Sequence, residues 1–405
     1  MKYKIEELDL IDSKYSYLKK DQNDREIFIF ELDDVKVLGK SLFYPNALLY
    51  CNNKVYNPIR ENIMSLKNLK SDDTYQVDNN LEINNTIDIP VFFFIYNVDN
   101  YYHFVYDTLP YLISFKEIKK KHKDLKLLMN FSYGKSHFYR FVKEFLDLLN
   151  ISDNDIIIVD QNTEYKKVFI SSSYTHEYDS NKPPRKEIFE LYNSLYKNIK
   201  VESNLPKKIY ISRRTWLNDD TSNIGTNYTT RRKLVNEDEL VEYLKENGYE
   251  EVFTENYTTI EKINLFRNCE VVIGAIGGGL CNVLFSNNTK LISICSPGFL
   301  DVNKRFQYSF TNVETIYFDK TSHYEIGDFK TNMRVKYNDI IGEISEINGN
   351  MLTIIYTETP VAGWNNDSKY KSIIVNKEDC LPLDNGLNSP WQLDMKELKK
   401  IINII

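Results

Sequence analysis

Between Cys269 and Phe285 the chain reads CEVVIGAIGGGLCNVLF, and no other stretch restricts the fold as strongly. The run up to Gly274 has the character of a buried strand. Four glycines then fall within six positions (Gly274, Gly277, Gly278, Gly279), and apolar residues suited to a helix resume. Glycine between a strand and a helix admits φ > 0 and removes the Cβ atoms that would hold a ligand away from backbone N–H groups. Tight helix-on-strand packing accounts for one or two glycines; four favour the approach of a ligand. The spacing is G-x-x-G-G-G rather than the dinucleotide fingerprint G-x-G-x-x-G, and the unit is not the first of its domain, which argues against a nucleotide-dependent oxidoreductase. Amides at a helix start suit a diphosphate instead, with Asn282 adding a side-chain contact.

Strands and helices alternate on both sides of this loop. KKIYISRR, EEVFTE, EVVIG and KLISIC read as strands, and NEDELVEYLKENG (ended by Gly248) and TTIEKINLFRNC as helices. Earlier, IPVFFFIY, KLLMNF, DIIIVD and KVFISSS are short apolar runs separated by helical segments, the pattern of another parallel sheet. EIFIFELDDVKVLG and ALLYCNNKVYNP alternate as β-hairpins do, and residues 61–88 form a polar connection. MRVKYNDIIGEISEINGNMLTIIYTE returns to alternation around Asn348-Gly349, and MKELKKIINII is an amphipathic terminal helix. The expected class is α/β, with two Rossmann-like domains, N-terminal β-hairpins and a small C-terminal β module. The boundaries are 1–200, 201–325 and 326–405; 405 residues at 42% hydrophobic content supply enough core for this. The last module suits contact with an acceptor chain or with a second subunit in a homodimer.

A net charge of −7, from 51 basic and 58 acidic residues, argues against nucleic acid or an anionic membrane as the main partner. Any anionic ligand must be met by local cations. Five scattered cysteines match neither a disulfide framework nor a zinc site. The charged N-terminus and the lack of a long apolar stretch predict a cytoplasmic protein without a membrane span.

Three further groups of residues could carry chemistry. Ser212, Arg213 and Arg214 follow a strand that opens the second sheet, where open α/β sheets bind ligands, and arginine forks onto phosphate. Arg231 and Arg232 precede NEDELVEYL, in which Asn236 is the expected N-cap and Glu237 and Glu239 lie in the acidic first turn; pairing of the arginines with that turn is the structural alternative. In NYYHFVYDTLPYL, His103 and Asp107 stand four apart on one helix face, either as a general base and its partner or as a structural pair. The only D-x-D, Asp153-Asn154-Asp155, precedes a strand rather than ending one, so it reads as a turn and cap signal, and no metal site is expected.

Taken in order, NYYHFVYDTLPYL, YISRR, RRKLVNEDEL and EVFTENYTTIEKINLFRNCEVVIGAIGGGLCNVLF resemble glycosyltransferase family 61 over about residues 90–320. The resemblance implies a GT-B fold and inverting, metal-independent transfer from a nucleotide-sugar co-substrate, UDP-linked, with no resident cofactor. Members move xylose, arabinose or N-acetylglucosamine onto glycans or proteins. It further implies donor-side roles for Arg213, Arg231, Asn236, Glu237, Gly277, Gly278, Gly279, Leu280 and Asn282, and places His103 and Asp107 on the acceptor side, where Asp107 is the best candidate base and His103 its orienter or the base itself. The family loop usually reads G-x-H-G-x-G-L. Ile276 stands at the histidine, which leaves a second reading: a non-catalytic nucleotide- or carbohydrate-binding protein on a degenerate scaffold. The helix before it usually carries E-Q-I, and here has Glu261-Lys262-Ile263.

Overall fold

The computed structural model describes residues 2–7, 27–38, 48–58, 74–76, 82–132, 135–175, 183–197, 199–200, 204–214, 233–297, 300–324, 329–331, 333–338, 340–357, 370–382 and 390–405. The protein is a mixed α/β chain that divides into two compact units, Met1–Ile199 and Lys200–Ile405.

The first unit is built on one sheet. Its strands are β1 (Lys2–Glu7), β2 (Ile29–Val37), β3 (Leu49–Cys51), β4 (Lys54–Asn57), β5 (Thr74–Gln76), β6 (Asn85–Ile87), β7 (Val91–Phe93), β8 (Lys126–Met129), β9 (Ile156–Ile158) and β10 (Thr163–Ser171). The spatial order is β5-β1-β4-β3-β2-β10-β7-β8-β9, with β6 also on β10. The expected hairpins are present as β2-β3-β4, joined antiparallel. The expected parallel sheet is present as β10-β7-β8-β9. What sequence did not anticipate is their fusion: β10 runs parallel to β7 and antiparallel to β2, so hairpins and αβ units share one mixed sheet. A nine-residue strand buried along its second half can pair on both edges, and local pattern does not say with whom.

The segment predicted as one helix with a proline is three pieces: a π-helix His103–Thr108, a 3₁₀ turn Leu109–Tyr111 and α1 (Leu112–Lys121). Pro110 has no N–H to give and its ring crowds the preceding turn. In the π spacing the Val105 carbonyl would look to residue 110; the Tyr192 hydroxyl donates to it instead, at 2.7 Å. Helix α2 (Arg140–Leu148) and α3 (Glu187–Tyr196) complete the described helices of this unit. The D-x-D segment is a 3₁₀ turn: Asp155 completes a capping box with Ser152 and pairs with Lys119 at 2.6 Å, and Asp153 pairs with Lys143.

The second unit holds a five-stranded all-parallel sheet. The strands β11 (Lys208–Ile211), β12 (Glu250–Val252), β13 (Val271–Ala275), β14 (Lys290–Ile294) and β15 (Glu314–Phe318) lie in the order β12-β11-β13-β14-β15. They are crossed by α4 (Glu237–Glu246), α5 (Thr259–Asn268) and α6 (Leu300–Ser309). Gly248 ends α4 at φ +80, with Tyr249 N–H donating to Leu244 O at 3.0 Å, the helix stop that its sequence announces. Helix α5 starts on a capping box, Thr258 with Glu261.

Beyond β16 (Thr321–His323) the chain forms a small antiparallel sheet and then returns. Strands β17 (Arg334–Tyr337), β18 (Ile340–Asn348), β19 (Met351–Thr357), β20 (Tyr370–Asn376) and β21 (Leu381–Pro382) stand in the order β20-β19-β18-β17-β21 around their own core of Met333, Val335, Ile344, Leu352, Ile354 and Val375. β22 (Trp391–Leu393) then pairs antiparallel with β16. Helix α7 (Met395–Ile402) follows. Trp391, Leu393, Met395, Leu398 and Ile402 pack into the same core as Tyr210, Leu240 and Ile273, so the C-terminal segment belongs to the parallel-sheet core and the small sheet interrupts it.

Candidate functional site

In the second unit the predicted residues gather at the carboxyl ends of the parallel strands. β11 ends into Ser212-Arg213-Arg214, β12 into Thr254, and β13 into the glycine loop. The Ser212 amide donates to Val252 O at 2.9 Å and the Ile276 amide to Ile294 O at 3.1 Å, which ties the end of β11 to β12 and the end of β13 to β14.

The glycines divide by cause. None of Gly274, Gly277, Gly278 and Gly279 has positive φ, so the conformational freedom expected of them is not what the loop uses. A Cβ on Gly274 would stand 3.0 Å from Ile211 Cβ and from Leu280 Cδ1, and one on Gly279 would stand 2.9 Å from Ile211 Cγ2 and Thr254 Oγ1. These two are packing glycines. A Cβ on Gly277 would stand 3.1 Å from Nη1 of Arg213, so the guanidinium lies directly against the loop. A Cβ on Gly278 would meet nothing within 4 Å, and its φ −57, ψ −39 suits any residue. Leu280 and Cys281 amides are taken by Gly277 O and Gly278 O at 3.2 Å; among the described residues no acceptor takes the amides of Gly277 and Gly278. The helix after the loop is a seven-residue 3₁₀ segment, Gly279–Phe285, a weaker dipole than the sequence suggested.

Arg213 is 5% exposed and Glu237 1%. Glu237 Oε1 accepts from the Arg213 amide at 2.7 Å and the Tyr210 hydroxyl at 2.8 Å, and the Ser212 hydroxyl lies at 3.4 Å. Burial raises the Glu237 carboxyl above its ordinary pKa, against the pull of these donors and of Arg213. Burial lowers the Arg213 guanidinium, and the Glu237 charge opposes that. The site therefore sets a buried guanidinium against the glycine loop and a buried carboxylate against the Arg213 backbone amide.

Several predicted contacts do other work. Asn282 is wholly buried and its Nδ2 donates to Gly279 O at 2.8 Å; it braces the loop from inside. Leu280 is core, and so is Ile276 at 1% exposure, which means that the side chain at the family's histidine position points into the protein. Asn236 occupies the N-cap position without capping. Its Nδ2 donates to Leu393 O at 2.8 Å and its Oδ1 accepts from Leu393 N–H at 3.2 Å. Arg214 is held by Glu251, at 2.6 Å to each oxygen, and by Asp238 at 2.7 Å, an ion-pair cluster apart from the loop. Glu239 pairs with Lys399 at 3.4 Å. Arg231 and Arg232 lie outside the described residues. A depression of about 660 Å³ on this unit, lined by Lys207, Lys208, Lys245, Tyr249 and Glu251 among others, lies at the amino ends of β11 and β12 and holds none of the predicted residues.

In the first unit His103 Nδ1 and Asp107 Oδ2 are 2.6 Å apart, with side chains 26% and 16% exposed. The Thr175 hydroxyl, just past the carboxyl end of β10, is 3.5 Å from Asp107 Oδ1, and Ser173 Oγ accepts from the Thr175 amide at 3.1 Å. Sequence reading missed Thr175; its only signal was its place after KVFISSS. A π-helix is an uncommon element that recurs at functional sites, and here it carries the pair. A half-buried imidazole–carboxylate pair of this geometry can accept a proton from a hydroxyl.

Among the described residues no helix is long and apolar enough to cross a membrane. Residues 101–292 match the family model described as Glycosyltransferase 61, a span that takes in both His103–Asp107 and the glycine loop. No curated protein matches the chain.

Proposed function

Because this chain belongs over residues 101–292 to glycosyltransferase family 61, and is a glycosyltransferase, we propose that it transfers a sugar with inversion from a UDP-linked donor to a hydroxyl of a glycan or protein. The sugar is of the xylose, arabinose or N-acetylglucosamine class. Parallel strands flanked by helices in each unit support reading the two as the Rossmann-like domains of a GT-B enzyme. Five free cysteines support a reducing, cytoplasmic setting.

The observation that carries the donor reading is Arg213 Nη1 against Gly277, beside the open position at Gly278. A guanidinium beside loop amides that no described residue accepts from, next to the open position at Gly278, suits a diphosphate. In the reaction an acceptor hydroxyl oxygen attacks the anomeric carbon, the bond from that carbon to the diphosphate oxygen breaks, and the charge that develops on the leaving diphosphate is stabilised by Arg213 and the loop amides. Asp107 takes the hydroxyl proton and His103 orients it. Arg231 supplies a second donor-side cation, and no divalent metal takes part.

Calorimetric titration with UDP in excess chelator tests the donor site, with saturable binding expected. Loss of that binding on chelation sinks the metal-independent reading. Incubation with a panel of UDP-sugars and a glycan acceptor, followed by assignment of the product anomer, tests the chemistry; a retained anomer overturns inversion.

A further inference from the structure

Glu237 falls on the donor side of the family resemblance, yet its surroundings do not suit a ligand contact. Its Oε1 is engaged by the Arg213 amide and the Tyr210 hydroxyl at 2.7 and 2.8 Å, and the side chain is enclosed. Its Oε2 is buried without a hydrogen-bond partner among the described residues. We propose that Glu237 is a positioning residue: it acts on the donor through Arg213, setting the backbone from which that guanidinium reaches Gly277, and is itself anchored by the C-terminal strand through Asn236. This rests on the donor-site reading above.

Three observations converge on it. The first is that Arg213 is the second residue past the end of β11, where the strand ladder no longer dictates the backbone; the carboxylate of Glu237 supplies the acceptor that its amide then needs. An arginine side chain has four rotatable bonds, so a guanidinium is aimed only if its Cα is held and its far end packed. Here Glu237 holds one end and Gly277 receives the other.

A second is the anchoring of Glu237. It is the first residue of α4, and the residues before it are clamped from the far end of the chain. Val235 N–H donates to Trp391 O at 2.8 Å, Trp391 N–H donates to Lys233 O at 2.9 Å, and Asn236 makes its two bonds to the Leu393 backbone. Trp391 is 1% exposed in the sheet core, so the clamp is seated in that core.

The last is charge. A guanidinium buried to this degree is costly, and the Glu237 charge offsets part of that cost.

The test separates the diphosphate's share of binding from the nucleoside's. Dissociation constants are measured by calorimetry for UDP, GDP, CDP and dTDP, each against its own nucleoside, and the pair that binds defines a diphosphate increment, Kd(nucleoside)/Kd(nucleoside diphosphate). Glu237→Ala is expected to shrink that increment by roughly 10- to 100-fold, the worth of a hydrogen bond to a charged group, with the nucleoside's own Kd within about threefold of the parent. Glu237→Gln keeps an acceptor oxygen for both donors and is expected to restore most of the increment. If Glu237→Ala does not fold, Glu237→Asp, which withdraws the carboxylate by one methylene, carries the same expectation. A folded Ala or Asp variant with an unchanged increment overturns the proposal. So does an equal loss for nucleoside and diphosphate, which would make Glu237 a direct contact to the ribose or base. Arg213→Ala tells the two failures apart. If it abolishes the increment while the Glu237 variants keep it, the donor site stands and the positioning role falls. If it leaves the increment intact, or if no nucleoside diphosphate binds the parent, the donor-site reading itself falls.

Discussion

Gly278→Ala and Gly279→Ala are adjacent one-methyl changes that the structure expects to act oppositely. A methyl on Gly279 lands 2.9 Å from Ile211 Cγ2 and Thr254 Oγ1. Both neighbours are β-branched, buried and stiff, so neither swings away cheaply. Overpacking of this kind costs about 1–3 kcal/mol, and with about 2–4 °C per kcal/mol for a unit of this size, Tm should fall by roughly 2–12 °C. A methyl on Gly278 meets nothing within 4 Å, and φ −57, ψ −39 accepts an L-residue without strain. Removing a glycine there should stabilise the fold by about 0.4–1 kcal/mol, through the unfolded state. The same methyl stands where the diphosphate must approach the Gly277 and Gly278 amides, so Kd for UDP should rise by roughly tenfold or more. Thermal unfolding and calorimetry on the two purified variants are the assays. A Gly278→Ala protein that binds UDP like the parent shows that the open space is not the ligand's. A Gly279→Ala protein as stable as the parent shows that packing does not explain that glycine.

Asp107→Asn keeps the helix and its contacts but cannot take a proton, so transfer should fall by about 10²- to 10⁴-fold with UDP affinity little changed, and His103→Ala should lose less; a folded double variant that transfers at the parent rate refutes both roles. Arg214→Ala removes the guanidinium that contacts both Glu251 oxygens, leaving Lys245 at 3.4 Å, and should cost about 1–3 kcal/mol of stability while UDP affinity stays within about threefold, a contrast with Arg213→Ala that binding and melting data on the pair would check. Since the folded carboxyl of Glu237 binds its proton more tightly than the unfolded one, its contribution is most favourable below its ordinary pKa of 4.5 and is lost as pH climbs through the raised value. The Tm advantage of Glu237→Gln over the parent should therefore grow from about pH 4.5 upward, and a flat difference across that range argues against the shift.

The local backbone was legible from residue pattern alone. Alternating and continuous apolar runs specified the strands, Gly248 stopped α4 because only a left-handed residue fits there, and Pro110 broke a helix because it has no amide to give. That pattern also named the chemical neighbourhood, since a strand ending in YISRR and a strand running into three glycines belong at the same edge of a parallel sheet. What it could not determine was which of those residues face a ligand. Asn236 read as a cap and proved to be a clamp on Leu393, 157 positions away. Glu237 read as a first-turn acid and proved to be the acceptor beneath Arg213, 24 positions away. The four glycines looked equivalent, and they separate into two that pack on Ile211 or its neighbours, one under a guanidinium and one facing open space. Helical and strand periodicity record only which way a side chain leaves its own element. What it meets there depends on the order in which distant strands are laid side by side, and that order exists only once the whole sheet has formed.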